Sequence, residues 1–216
     1  MGLLDRLAPR KSDSDVRPQG PASDSINIPV FATKALPKFL QTLTSREQPV
    51  LLDLGPVVGS NVSFFGEQLG CKIFVEDIFA DLDRHVREGK LEELPEFLKK
   101  RFPQLEGSVD GILCWDLFDY LDRPAGQALA IQLTRVLRPD GALLGFFGSA
   151  PPQGAHYTKF IIVDDVNLKY RTYPAARGRQ AILPNRDIIR LFSTLRVSDS
   201  FLLKNNLRET LFRKPA

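Results

Sequence analysis

Short apolar runs that stop at turn residues alternate along this chain with segments whose apolar residues recur at helical spacing. Residues 50–52 form one such run, closed by Asp53 and followed by Gly55 and Gly59. A second run, 71–75, stops at Glu76 and Asp77, and a third, 110–115, stops at Asp116. A fourth, 142–147, follows the turn Arg138-Pro139-Asp140-Gly141. Runs of this length bounded by turns read as buried strands. Helical spacing is found over 36–43, over 60–69 with Ser60 or Asn61 as the cap, and over 80–89, 91–102 and 126–136. It appears again over 186–193, where Asn185 is the cap. In the C-terminal third, 157–163 and 168–173 read as a hairpin around 164–167, and 197–204 with 209–214 as a closing antiparallel pair. The alternation predicts an α/β fold: a doubly wound, mostly parallel sheet ending in an antiparallel strand pair.

A strand that stops at glycines and restarts as a helix presents backbone N–H groups to a ligand. Taken alone, the same turn occurs in any parallel-sheet protein. The stretch VLLDLGPVVG nevertheless resembles the class I S-adenosylmethionine-dependent methyltransferases, whose first strand ends in an acid followed by D/E-x-G-x-G-x-G. Asp53, Gly55 and Gly59 match the acid and the outer glycines, and Val57 stands at the middle glycine. The phrase Leu137-Arg138-Pro139-Asp140-Gly141 before an apolar strand also resembles the family. The resemblance implies a Rossmann-like methyltransferase sheet over about 28–214 and S-adenosylmethionine as cofactor. It assigns Asp53, Gly55 and Gly59 to the methionine end of the cofactor. An acid roughly 20 residues past the glycine turn accepts ribose hydroxyls in such sheets. Glu76 is the first choice here and Asp77 the near alternative, with a solvated strand end or a helix cap as the plain reading of either.

Asp116, at the end of the fourth family strand, is the candidate catalytic residue. It would orient an acceptor or the methionine amino group, or else cap the following helix. His156 and Tyr157, just past the fifth family strand, could reach the same crevice, although a lone surface-loop histidine is more often incidental; Trp115 and Tyr120 either line the crevice or belong to the core. The family's third strand has no convincing counterpart between 78 and 109; either it is short and degenerate or helix, read over 80–89 and 91–102, has replaced it, so no adenine contacts are assigned. The hairpin falls where family members elaborate a substrate lid.

Composition narrows the picture further. The chain has 216 residues, 43% of them hydrophobic, enough for one sizeable core. A formal net charge of +3 is too small to argue for nucleic acid. Arg171, Arg177 and Arg179 read as a solvated hairpin surface. The two cysteines, Cys71 and Cys114, sit in apolar runs, which suits reduced core residues and a cytoplasmic protein. With two histidines there is no metal-ligand spacing. No run is long enough for a membrane span, and the apolar stretch at 1–7 is too short for a signal peptide. Residues 1–27 are rich in Pro, Ser, Asp, Lys and Arg and read as a flexible tail, leaving one domain over 28–216. Two functions fit this sequence. One is methyl transfer by in-line displacement to a small molecule or an exposed side chain. The other is a methyltransferase-fold protein without transfer activity, serving as a binding or scaffold module. A dinucleotide oxidoreductase fits less well, because its fingerprint needs the glycine that this loop lacks.

Overall fold

The computed structural model describes residue 28 and residues 30–150, 154–180 and 182–216. The expected tail, 1–27, lies outside the described residues. The elements in chain order are β1 (Val30–Ala32), α1 (Leu36–Thr44), β2 (Val50–Asp53), α2 (Gly59–Ser63), β3 (Lys72–Val75), α3 (Ile78–Arg87) and α4 (Leu94–Lys100). They continue with β4 (Val109–Trp115), α5 (Arg123–Val136), β5 (Leu137–Gly148), β6 (His156–Ile162), β7 (Asn167–Pro174), α6 (Asn185–Leu191), β8 (Arg196–Leu202) and β9 (Leu207–Arg213). A six-stranded sheet has the order β3-β2-β4-β5-β9-β8. Its first four strands are parallel, and β9 and β8 close it antiparallel, as the sequence pattern predicted. The order reverses at β2, so the crevice between the carboxyl ends of β2 and β4 is the topological switch point.

Strand alternation sends side chains to two cores, one on each face of the sheet. Ile112, Cys114, Leu143 and Phe147 pack with Phe79, Leu82, Leu98, Leu129 and Leu133 on one face. Leu113, Trp115, Leu144 and Phe146 pack with Phe39, Leu43, Phe160 and Leu168 on the other. α1 lies directly on β4 because Gly111 has no side chain. A Cβ there would come within 2.7 Å of Leu43 and 2.9 Å of Phe39. The second face is completed by a three-stranded sheet, β1-β7-β6, in which the expected hairpin is joined by a short strand that the pattern did not signal.

Three local readings change. Asn61 does not cap the helix after the glycine turn; Val58 holds the cap position, and the helix passes into a π-turn over Phe64–Gln68. Asn61 is buried and reaches the hairpin instead, donating from Nδ2 to the Phe160 carbonyl (2.9 Å) and accepting from the Ile162 N–H (2.9 Å). The Arg138–Gly141 turn is absorbed into β5 as an irregularity: β4 advances from Val109 to Gly111 while its partner jumps from Leu137 to Ala142. Asp140, not Gly141, takes the positive φ of 62°. Gly141 is needed because a Cβ would meet Leu137 at 2.7 Å and the Arg138 carbonyl at 2.9 Å. At α6, Pro184 occupies the cap position in place of Asn185, and no side chain caps the helix.

Between β3 and β4 the described residues form helix in place of a further strand: α3, a 3-10 turn over Leu91–Glu93, and α4. Among the described residues no helix is long and apolar enough to cross a membrane.

Candidate active site

The glycine turn is held by Asp53 from within. Its Oδ1 accepts the Gly55 N–H (2.9 Å) and the Trp115 indole N–H (2.6 Å). Burial outweighs these two hydrogen bonds, so the carboxyl is pushed up to about 6. Trp115 ends β4 with φ of 48°, in the left-handed region where an aromatic residue is strained. That backbone turn swings the indole across Gly55, where a Cβ would stand 2.6 Å from Trp115 Cδ1. Its ring stacks on Phe160 (centroids 5.3 Å apart, planes at 5°) and on Phe146 (5.8 Å, 10°). In this conformation, therefore, the closest approach to Gly55 is made by the protein itself. Gly59 opens α2, with no atom within 4 Å of where its Cβ would be. Val57 points outward and is 62% exposed, so its side chain does not fill the turn.

The two acids after β3 part company. Glu76 turns to the segment between α4 and β4. One oxygen accepts from Gln104 Nε2 (2.9 Å), the other pairs with the Arg101 guanidinium, and Arg101 also holds Asp81 (2.8 Å). Asp77 caps α3, its Oδ1 accepting the Ala80 N–H (3.2 Å). It is half-buried, and burial raises its carboxyl above the ordinary value. Among the described residues its other oxygen has no hydrogen-bond partner.

Asp116 makes no cap bond to the following 3-10 turn. It is fully buried; Oδ2 accepts from Arg179 Nη2 (2.7 Å) and from the Tyr120 hydroxyl (3.3 Å). Asp119 lies behind it, accepting the Gly148 N–H at 2.7 Å, with Arg179 Nε at 3.6 Å. Oδ1 of each aspartate is buried without a partner. Burial raises both, and the neighbouring Asp116 charge helps push Asp119 up to about 8. Burial alone would lower the Arg179 guanidinium, and the two aspartates more than offset it. Arg179 is thus not part of a solvated surface. Only 21% of its side chain is exposed, whereas Arg171 is exposed as expected.

Above the crevice the hairpin contributes Tyr157, whose ring meets Phe79 (5.0 Å), Tyr120 (5.1 Å) and Tyr173 (5.6 Å), and whose hydroxyl is buried unpaired. His156, at the start of β6, is half-buried. Of the residues expected from sequence, Asp53, Gly55, Asp77 and Asp116 stand at the carboxyl ends of adjacent strands, as does Glu76, whose carboxylate is engaged by Arg101 and Gln104. Sequence reasoning missed Trp115 as the cover of Gly55, and Asp119 and Arg179 as partners of Asp116. The spacing Asp116, Asp119, Tyr120 on one turn was visible; Arg179, 63 residues further on, carried no signal. Among the described residues no cluster of metal-ligating side chains occurs.

No protein-family model matches the sequence, and no curated protein matches it. Solved structures do. The PH0226 protein from Pyrococcus horikoshii OT3 is 15% identical, with a TM-score of 0.51 over 83% of this chain and 89% of that one. A 1,6-didemethyltoxoflavin-N1-methyltransferase from Burkholderia thailandensis, solved with S-adenosylhomocysteine, is 16% identical (85% and 78% covered, TM-score 0.49). A SAM-dependent methyltransferase from Aquifex aeolicus is 14% identical (82% and 88%, TM-score 0.49). At such identities the likeness is one of fold. With the strand order it gives this chain a doubly wound, Rossmann-like α/β fold.

Proposed function

We propose that this chain binds S-adenosylmethionine at the carboxyl ends of β2 and β3 and transfers its methyl group to an acceptor on the Asp116 side of the crevice. The observation that carries the reading is the cluster of buried, raised carboxyls at the switch point, two with an unpartnered oxygen. A buried acceptor atom without a donor costs about 1–3 kcal/mol, and such groups concentrate at functional sites. Free carboxylate oxygens suit a ligand that brings hydroxyl donors and positive charge. Asp77 is placed for the ribose hydroxyls in preference to Glu76, and the Asp53–Gly55 turn for the methionine end. The fit has one condition: Trp115 and the hairpin must move off Gly55 to make room. Asn61, which ties α2 to β6 by two hydrogen bonds, is the latch on that movement.

When bound, the cofactor supplies an electrophilic methyl group that the acceptor displaces in line. The chain's own part is to hold and orient. Arg179 keeps Asp116 aimed into the crevice, and Tyr157 and Phe160 exclude water from above. A second reading is favoured by Trp115 across Gly55 and by the engagement of Glu76: a protein of this fold without transfer activity, serving as a binding module. Calorimetric titration with S-adenosylmethionine and S-adenosylhomocysteine separates the two. The first reading expects binding, weakened about ten- to a hundredfold by Asp77→Ala, as loss of a hydrogen bond to a charged group implies, and little by Glu76→Ala. Absence of binding by either compound at millimolar concentration leaves the second.

A further inference from the structure

On the far side of Arg179 from the aspartates, between the end of β5, the hairpin and the turn before β9, lies a cleft of about 200 Å³. Its lining among the described residues includes Arg179, His156, Thr158, Asn205, Phe160 and Tyr170, and contains no carboxylate. The polar groups that face it are mostly donors. Arg179 spends Nη2 on Asp116 and directs Nε toward Tyr120 and Asp119, while Nη1 has no hydrogen-bond partner among the described residues. Asn205 is oriented by its own amide oxygen, which accepts the Leu207 N–H (3.4 Å), and its Nδ2 is buried and does not open onto the cleft. His156 and the Thr158 hydroxyl complete the polar side, and Phe160 and Tyr170 form an apolar wall. A donor-rich hollow with one guanidinium and no acid is complementary to an oxyanion. The volume is that of about seven waters, well below a drug-sized site, and the aromatic wall suits an organic body.

We infer that this cleft binds the carboxylate of a small organic acid, held by Arg179 Nη1 with His156 beside it and its carbon skeleton against Phe160 and Tyr170. Resting on the function proposed above, that acid is the methyl acceptor. A lone-pair atom on its skeleton bonds to the methyl carbon as the sulfur–methyl bond breaks, S-adenosylhomocysteine leaves with the electron pair, and the acceptor's proton passes to water. Arg179 joins the cleft to Asp116, so an acid seated there lies beside the crevice assigned to the donor.

The test uses the full chain without cofactor, titrated calorimetrically with benzoate, its neutral isostere benzamide, and inorganic phosphate. Benzoate should bind at millimolar concentration or tighter, benzamide at least tenfold more weakly, and phosphate more weakly than benzoate. His156→Ala, which removes a polar group of the lining, should weaken benzoate five- to tenfold, and Asn205→Ala, whose amide nitrogen is buried from the cleft, by less than twofold. Arg179→Lys keeps a cation for the aspartates but loses the fork, and should weaken benzoate at least tenfold. Benzamide binding as well as benzoate, phosphate binding better than benzoate, or benzoate binding unchanged by His156→Ala overturns the inference, as does absence of benzoate binding. The two readings fail separately. Benzoate binding with this pattern, where S-adenosylmethionine does not bind, upholds the carboxylate site and removes the methyl-transfer reading. S-adenosylmethionine binding without benzoate binding does the reverse.

Discussion

The middle of the parallel sheet and its carboxyl edge are built on opposite terms. In the middle, β2, β4 and β5 bury Leu52, Ile112, Leu113 and Leu143 completely, and the backbone polar groups are paired strand to strand. A few residues further along the same strands, Asp53, Asp116 and Asp119 are buried as deeply, with oxygens left unpartnered and a tryptophan held at positive φ. The first region gains stability from every residue. The second spends some of it on holding charge and strain in place, a cost that a purely structural strand end would shed. The difference teaches where to look for function in this fold: at the strand ends that the sheet over-determines.

Breaking the ion pair at the edge should have the largest effect. Arg179→Met leaves Asp116 buried without its counter-ion and should cost about 3–5 kcal/mol in urea denaturation. Arg171→Ala, on the exposed side of the hairpin, should stay within about 0.5 kcal/mol. Equal effects would mean that the guanidinium does not hold the edge together. Trp115→Ala should cost about 3–5 kcal/mol through lost stacking and a cavity, yet tighten S-adenosylhomocysteine binding by uncovering Gly55.

The edge should also mark the pH dependence. Asp119, pushed up to about 8, and Asp53, to about 6, bind protons more tightly folded than unfolded. Their stabilising contribution is therefore complete at acid pH and is lost as pH rises, through about 6 for Asp53 and about 8 for Asp119. Between these two values stability should fall with a slope approaching 1.4 kcal/mol per pH unit for one group, on the order of the proton linkage limit. Asp119→Asn, which still accepts the Gly148 N–H, should flatten that fall when melts are recorded across the range. A wild-type profile rising over the same interval would contradict the placement of these carboxyls.

Smaller effects sharpen the contrast. Asn61→Ala should cost about 1–3 kcal/mol by leaving the Ile162 N–H and Phe160 carbonyl without partners. It should also speed hydrogen exchange in β6 ahead of β4. Val57→Gly should change stability by less than about 1 kcal/mol, through unfolded-chain entropy, and cofactor affinity hardly at all, because the valine points to solvent.

The same division explains what the sequence disclosed. Strand order and helix positions follow from local apolar runs and turn residues, so β2 through β5 and the C-terminal pair were legible; after β3 the sequence left a short strand or a helix open, and the segment is helix. Boundaries failed where a long-range bond outbid a local one: Asn61 has the chemistry of a cap but serves the hairpin. The acid–glycine turn was legible as a motif, whereas its state was not. The direction Glu76 faces depends on Arg101 and Gln104, and the cover over Gly55 depends on a tryptophan 60 residues away in sequence. A local pattern cannot carry side-chain pairings between such distant segments.

The central claim is that the switch-point crevice is a cofactor site lying beneath a movable hairpin. Hydrogen exchange of β6 and β7, measured with and without S-adenosylhomocysteine alongside its calorimetric titration, tests this most directly. The account predicts binding by the parent protein, altered exchange across Tyr157, Phe160 and Tyr173, and tighter binding after Trp115→Ala. No binding by either protein, with hairpin exchange unchanged at millimolar ligand, would contradict it.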